Sequence, residues 1–98
     1  VDYNKFQSYG RTSEVMDLEP LCDKWRSFGF ETTEVDGHDI PELERAMAKL
    51  PFDSSAPSAL ICHTVKGKGF PMAEGQADWH HKSQLSEQEI AEMYGCLE

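Results

Sequence analysis

The stretch that decides the fold is "ALICHTVKGKG", which runs from Ala59 to Gly69. Its first part, "ALICHTV", is a continuous apolar run without the alternation of a half-exposed strand, and a strand covered on both faces has this pattern. Lysines and glycines then open a segment, Lys66 to Ser83, that is too rich in glycine and too aperiodic for regular structure. Because a long loop in a small domain is usually functional or disordered, we predict a buried strand that leads into a functional loop.

Helix and strand patterns alternate along the rest of the chain. Apolar residues recur at helical spacing over Leu18–Phe28, where Asp17 can cap the helix, and "FETTEV" is typical of a short strand over Phe30–Val35. Asp39 and Ser86 each begin a helix and are each followed by the glutamate of a capping box. The predicted segments are a strand end at 1–4, a loop at 4–12, helices at 18–28, 39–50 and 86–97, and strands at 30–35 and 59–65. This order predicts an α/β fold, an open parallel sheet with flanking helices.

Composition and charge narrow the classes of function. The 98 residues include 18 acidic and 9 basic residues, which give a formal net charge of -9. Such a chain is not expected to bind nucleic acid in general or to adhere to an anionic membrane, since both need basic surface. No apolar run is long enough to cross a bilayer. Cys22, Cys62 and Cys96 lie far apart in apolar patterns, so we expect buried free thiols and a cytoplasmic protein.

Three loops are expected at the carboxyl edge of the predicted sheet, where open α/β folds bind their ligands. They follow Tyr3, Val35 and Val65. The first loop carries Asn4, the second carries "DGHD", and the third carries "KGKG". We therefore expect the ligand-binding site at this edge of the sheet.

The motifs of these loops each have two interpretations. "KGKG" can cradle a phosphate through backbone N–H groups and lysine charge, or it can be a flexible turn. It has the spacing of neither a P-loop nor a dinucleotide fingerprint. Asp2 and Asn4 at a strand end could help to bind a hard cation such as Mg²⁺, or they could belong to a plain strand-end loop. For "DGHD", from Asp36 to Asp39, we prefer turn and capping roles to metal binding.

The adjacent histidines His80 and His81 follow Trp79. Neighbouring side chains diverge in most backbones, so we do not expect the pair to share a zinc ion. One histidine could donate a hydrogen bond to a phosphate or shuttle a proton. The alternative is that Trp79 anchors the loop and both histidines face water.

Several stretches taken together resemble a known family. They are "VDYNKFQSYG", "LEPLCDKWRSFGF", "EVDGHDI", "HTVKGKG" and "WHHK". In order and spacing they resemble the thiamine-diphosphate-binding region of transketolases, and most closely the amino-terminal subunit of split, two-subunit transketolases. The resemblance covers almost all of the chain.

The resemblance implies that residues 1–98 form the C-terminal half of a Rossmann-like diphosphate-binding domain. In the family, a Gly-Asp-Gly motif precedes an Asn, and that Asp and Asn bind the divalent metal that holds the diphosphate. Asn4 matches the Asn, and the backbone carbonyl of Phe6 is the next implied metal ligand. The implied cofactors are thiamine diphosphate and Mg²⁺ or Ca²⁺, and the Gly-Asp-Gly motif is expected upstream of Val1.

Further roles follow from the same resemblance. His80 matches the transketolase histidine that reaches the diphosphate and the substrate, and it is the implied catalytic residue. The "HTVKGKG" loop is implied to lie near the diphosphate, with His63, Lys66 and Gly67 as cofactor-binding residues. His81 stands where many relatives have Gly, in "WHHKSQ" against Trp-His-Gly-Lys-Ala-Pro, and we relate this difference to the substrate rather than to the cofactor.

The implied activity is the transfer of a two-carbon ketol unit between sugar-type substrates, in a chain that is not active alone. The glutamate that activates the cofactor belongs to the family's pyrimidine-binding domain. The expected partner is that domain or the C-terminal transketolase subunit, in a dimer or heterotetramer. Two alternatives stay open: a related thiamine-diphosphate enzyme that passes the two-carbon unit to a carrier-bound thiol, and a non-catalytic scaffold domain that has kept the fold.

Overall fold

A parallel sheet organises the computed structural model, which describes residues 1–97. Its elements along the chain are β1 (Asp2–Tyr3), β2 (Phe6–Gln7), β3 (Gly10–Arg11), α1 (Thr12–Val15), α2 (Leu21–Ser27), β4 (Glu31–Asp36), α3 (Ile40–Met47), β5 (Ser58–His63), a 3₁₀ turn (Ala77–Trp79) and α4 (Glu87–Gly95). Strands β1, β5 and β4, in that order, form the three-stranded parallel sheet, and β2 pairs with β3 in an antiparallel hairpin. The predicted α/β class, a parallel sheet with flanking helices, is confirmed.

The central strand β5 carries the core of the molecule. Ile61 is fully buried and forms a cluster with Tyr3 of β1 and Cys22 of α2. Burial alternates along β5, since Ala59 and Ile61 are buried while the residue between them is half-buried. The expectation of a strand covered on both faces is therefore wrong within residues 1–97, because α3 packs on the edge strand β4 rather than across β5. The strand also ends at His63, before the predicted residue 65.

Helix α2 begins at Leu21, later than the predicted Leu18. Pro20 precedes it with non-helical angles (φ -76°, ψ 108°). The predicted cap Asp17 instead accepts a hydrogen bond from the Glu19 N–H at 3.0 Å, in a turn before the helix. The prediction of Asp17 as the cap is wrong, because a residue before proline avoids helical angles and the helix cannot run through Glu19.

The two predicted capping residues of the later helices are confirmed. Asp39 accepts the N–H of Glu42 at 2.9 Å at the start of α3. Ser86 accepts the N–H of Glu89 at 3.2 Å, and the Glu89 carboxylate accepts the N–H of Ser86 at 2.8 Å. The capping box predicted for Asp39 and Glu42 is wrong, because the Glu42 carboxylate accepts the N–H of Asp36, at 3.2 Å, and so ties α3 to the end of β4.

The segment after β1 is more regular than predicted. We predict a loop over residues 4–12, but β2 and β3 form a hairpin there, with Phe6 opposite Arg11, and α1 begins at Thr12. Strands of two residues are too short to show the alternation from which a strand is predicted. Their pairing depends on tertiary structure, so the sequence contains no local sign of them.

The long loop after β5 closes on itself near its start. The Gly75 N–H donates to the Lys66 carbonyl at 2.9 Å, and the 3₁₀ turn follows. Gly67 has a φ of +75°, and a Cβ atom there would lie 2.6 Å from the Ala73 carbonyl oxygen, so this position requires glycine. Between residues 66 and 83 the 3₁₀ turn is the one regular element, in agreement with the predicted loop.

The three free cysteines are not equally buried. Cys22 is buried as expected, Cys62 is half-buried, and Cys96 is exposed. The expectation of a buried thiol is wrong for Cys96, because α4 buries none of its residues. Burial, with Glu34 nearby, raises the pKa of the Cys22 thiol to about 11, so this thiol is protonated near neutral pH.

A search of residues 1–97 finds no helix long and apolar enough to cross a membrane.

Candidate functional site

The carboxyl ends of the three parallel strands meet at one edge of the sheet. Tyr3 lies opposite His63, and His63 lies opposite Asp36, so the three ends are level. The loops that follow them are therefore neighbours, as predicted. An open depression of about 470 Å³ lies between them, and its lining includes Asp2, Asn4, His38, Thr64, Lys66 and Gly67. Asn4, Lys66 and Gly67 thus share one depression.

Asn4 lies where β1 ends and the chain turns into the hairpin. Its Oδ1 accepts the N–H of Phe6 at 2.9 Å, which closes residues 4–6 into a tight turn. Lys5, at the centre of the turn, has a φ of +68°, a left-handed conformation that is uncommon for residues other than glycine. The turn places the Asn4 side-chain oxygen and the Phe6 carbonyl in one short segment.

These two oxygens are donors that suit a hard cation. Amide and carbonyl oxygens are ligands that Mg²⁺ and Ca²⁺ prefer, but either ion takes about six or more ligands. Residues 1–97 contain no group of three or more His, Cys, Asp or Glu side chains that could hold a metal ion. By donor type, Asn4 and Phe6 therefore fit part of a metal site whose other ligands would come from outside the described residues. Of the two, Asn4 lines the depression and Phe6 does not.

The turn of residues 36–39 holds the loop after β5 in place. His38 Nε2 accepts the N–H of Val65 at 2.8 Å, and the Gly37 N–H donates to the His63 carbonyl at 2.8 Å. A Cβ atom at Gly37 would lie 2.5 Å from the Thr64 side chain, so this close approach requires glycine. The preferred interpretation of "DGHD" as a turn agrees with these contacts. The sequence did not reveal that His38 holds the loop after β5, because its partner, the N–H of Val65, is distant along the chain.

Lys66 and Lys68 bring positive charge to the depression. Lys68 Nζ lies 3.7 Å from the Glu74 carboxylate. Within residues 1–97 the Lys66 ammonium has no carboxylate at ion-pair distance. A lysine without a counter-charge, beside the left-handed backbone of Gly67, fits an anionic group such as a diphosphate.

His80 directly follows the 3₁₀ turn, in the long loop that Lys66 begins. Partial loss of hydration lowers the pKa of its imidazole, and the charges of Lys66 and His81 lower this pKa further. Its Nδ1 is buried and has no hydrogen-bond partner within the described residues. His80 does not line the depression of Asn4. A buried ring nitrogen without a hydrogen-bond partner in the described residues, such as His80 Nδ1, fits the binding of a group from outside the chain.

His63 is placed differently from the other predicted cofactor contacts. Its ring centroid lies 5.6 Å from that of Tyr3, and its two nitrogens contact Lys5 and Glu34. The side chain lines an adjoining depression of about 420 Å³, not the depression of Asn4. Sequence reasoning missed Lys5 and Glu34, because only the register of the sheet shows which face His63 occupies.

Comparison with known proteins identifies the family. The family model described as "Transketolase, thiamine diphosphate binding domain" matches residues 1–97. An apulose-4-phosphate transketolase subunit of Phocaeicola vulgatus is 39% identical over 88 residues, which are 90% of this chain and 31% of that protein. The 6-deoxy-6-sulfo-D-fructose transketolase subunit SqwG of Clostridium sp. is 41% identical over 80 residues, or 82% of this chain and 29% of that protein. The transketolase of Mus musculus is 37% identical over 75 residues, or 74% of this chain and 12% of that protein.

The aligned part of this chain thus spans less than a third of the length of each of these relatives. The family match runs through all the stretches that resemble transketolases, from "VDYNKFQSYG" to "WHHK". The chain belongs to the transketolase family, in the part of it described as the thiamine diphosphate binding domain.

Proposed function

We propose that this chain is the C-terminal half of the diphosphate-binding domain of a transketolase-like enzyme. In this proposal the enzyme binds thiamine diphosphate with Mg²⁺ and transfers a two-carbon ketol unit. The observation that carries the proposal is the depression at one sheet edge that Asn4, Lys66 and Gly67 line. Family membership and the relatives' names as transketolases support it.

Lys66 and Gly67 hold the diphosphate in this proposal. The lysine supplies charge, and the glycine lets the backbone approach the anion. Asn4 Oδ1 and the Phe6 carbonyl bind the metal, Mg²⁺ or Ca²⁺, that neutralises the same group. Thiamine diphosphate, when bound, supplies the nucleophilic carbon and the electron sink of the reaction.

His80 is the proposed catalytic residue of this chain. Its lowered pKa favours a neutral imidazole near pH 7, in which one ring nitrogen donates and the other accepts. A neutral imidazole beside a substrate oxygen can take up or return the proton that the reaction moves there. The buried Nδ1, which has no partner in residues 1–97, is free to bind a diphosphate or substrate oxygen.

The proposed enzyme is assembled from more than this chain. The Phocaeicola and Clostridium relatives are both named as transketolase subunits, which supports a division between chains. The partner is a pyrimidine-binding domain or a C-terminal transketolase subunit, in a dimer or heterotetramer. The sugar names of these relatives support a sugar-type substrate, and the free cysteines support a cytoplasmic location.

The test is a titration of the full-length protein, assembled with its partner, with Mg²⁺ and thiamine diphosphate. We expect Asn4→Ala to weaken metal-dependent cofactor binding at least about tenfold, because a metal ligand is lost. The control Gln88→Ala removes an amide that donates to Glu92 at 2.9 Å on α4, and it should leave the affinity unchanged. Unchanged affinity in Asn4→Ala would contradict the metal role. A wild-type assembly that binds no cofactor would favour the scaffold alternative.

A further inference from the structure

The side chains of Lys5, His63 and Glu34 connect the turn of Asn4 to the opposite edge strand of the sheet, β4. Lys5 Nζ lies 2.8 Å from His63 Nδ1, and His63 Nε2 lies 3.1 Å from Glu34 Oε1. The three residues come from the turn after β1, the end of β5 and the edge strand β4, so they span all the strands of the parallel sheet. We refer to them as the Lys5–His63–Glu34 array.

The contacts of the array define its proton arrangement. A lysine ammonium can only donate, so His63 Nδ1 must accept from Lys5. His63 Nε2 then carries the hydrogen of a neutral imidazole and donates it to the Glu34 carboxylate. Both ring nitrogens are therefore engaged within the chain, and neither is left for a bound diphosphate.

Two other groups also contact the Lys5 ammonium. Its Nζ lies 3.1 Å from the centroid of the Tyr3 ring, in a cation–π contact, and 4.0 Å from the Glu19 carboxylate. Glu19 in turn accepts a hydrogen bond from the Tyr3 hydroxyl at 2.9 Å. The Lys5 side chain is thus fixed between His63, Tyr3 and Glu19.

The backbone of Lys5 joins the two proposed metal ligands. Asn4 and Phe6 are its direct neighbours, and the hydrogen bond from the Phe6 N–H to Asn4 Oδ1 closes the turn over it. Its left-handed conformation, with φ +68°, persists only where surrounding contacts hold it. One such contact is on the main chain, where the Lys5 carbonyl accepts the Thr12 N–H at 2.9 Å. On the side chain, the hydrogen bond to His63 in the array acts together with the contacts to Tyr3 and Glu19.

We propose that His63 is a positioning residue for the metal site. By accepting from Lys5, it holds residues 4–6 in the conformation that presents the Asn4 and Phe6 oxygens, and Glu34 fixes the orientation of its ring. The inference rests on the proposed function. It assigns His63 an indirect role in place of the direct cofactor contact that the resemblance implies.

The first experiment measures Mg²⁺ affinity in the full-length protein assembled with its partner, at saturating thiamine diphosphate. His63→Phe keeps a ring that can pack on Tyr3 but removes both nitrogens, and we expect about a tenfold loss of affinity because a charge-assisted hydrogen bond is lost. His63→Asn keeps an acceptor near the Nδ1 position, so it should bind Mg²⁺ nearly as the wild type does. The control Asp23→Asn alters an exposed ion pair with Arg26, at 2.9 Å, and should change nothing.

The second experiment needs no ligand. The Thr12 N–H, which donates to the Lys5 carbonyl, reports whether the turn is held. We expect amide hydrogen exchange at Thr12 to be about tenfold faster in His63→Phe than in the wild type, and unchanged in His63→Asn. The thermal unfolding midpoint of each variant shows whether the fold as a whole is intact.

Wild-type Mg²⁺ affinity in His63→Phe would overturn the inference. So would equal losses in His63→Phe and His63→Asn with unchanged Thr12 exchange, since that result is expected of a direct contact. If the wild-type assembly binds no Mg²⁺ and thiamine diphosphate at all, the proposed function fails and the inference falls with it.

Discussion

At the scale of single residues, the order of strands and loops brings Asn4, Lys66 and Gly67 to one depression from distant parts of the chain. Each follows a parallel strand, so the sequence could place all of them at the carboxyl edge. The sequence could not orient His63, because neighbouring strand residues point to opposite faces and the register decides between them. The contacts of Lys5 could not be predicted either, because its partners His63 and Glu19 lie in β5 and in the turn before α2, far from it along the chain.

A pair of glycines in the loop allows a test of the site wall. Gly67→Ala should destabilise the protein by about 2–3 kcal/mol, because its Cβ would meet the Ala73 carbonyl in a left-handed backbone. Gly69→Ala is the control: it also has a positive φ, +97°, but nothing lies within 4 Å of its Cβ position, so about 1 kcal/mol is expected. Denaturant unfolding of the full-length protein measures both values. Equal losses would show that the Ala73 contact does not constrain the loop.

At the scale of elements, local chemistry decided which predictions succeeded. Asp39 and Ser86 begin helices as predicted, because a capping side chain bonds to an N–H within its own turn of the chain. The start of α2 was mispredicted because Pro20 acts on the residue before it. The hairpin of β2 and β3 was missed because two-residue strands carry no periodic signal.

The capping box of α4 has a measurable effect on that helix. We expect Ser86→Ala to cost about 1 kcal/mol of local helix stability and to speed hydrogen exchange of the Glu89 amide about fivefold. The reason is that the Glu89 N–H loses its acceptor, the Ser86 hydroxyl, at 3.2 Å. Ser83→Ala, which changes an exposed serine before the helix, is the control. Exchange that is equally slow in both variants would argue against the cap.

At the scale of the whole molecule, carboxylates fix separate parts of an acidic chain. Glu19 accepts from the Tyr3 hydroxyl before α2, Glu34 contacts His63 across the sheet, and Glu89 caps α4. Hydrogen bonds from the Leu21 N–H and then from Tyr3 lower the pKa of Glu19. Hydrogen bonds with the Cys22 thiol and then with His63 lower the pKa of Glu34. The Lys82 ammonium and then the Ser86 N–H lower the pKa of Glu89 to about 2. These contacts lie at the start, in the sheet and at the end of the described chain.

The lowered pKa values of these carboxylates predict how the stability of the fold changes as the pH falls. A carboxylate whose folded pKa lies below its unfolded value, about 4.3, stabilises the fold above that pH and loses this effect as the pH falls. We therefore expect the unfolding temperature to decrease between about pH 4.5 and 2 as these carboxylates gain protons, after a smaller decrease near pH 6.5 from His80, whose pKa is also lowered in the fold. Thermal unfolding followed by circular dichroism checks this, and Glu89→Gln should remove part of the decrease. A constant unfolding temperature down to pH 3 would refute it.

The hydrogen bond from Gly75 to the Lys66 carbonyl makes residues 66–75 a closed ring. This hydrogen bond ties the two ends of residues 66–75 together without any contact from the chain that follows. The exposed residues 81–85, between His80 and α4, can therefore vary without moving the wall that Lys66 and Gly67 form. His81, with its left-handed backbone at φ +59° and its ring against His80, stands at the first position where such variation can act.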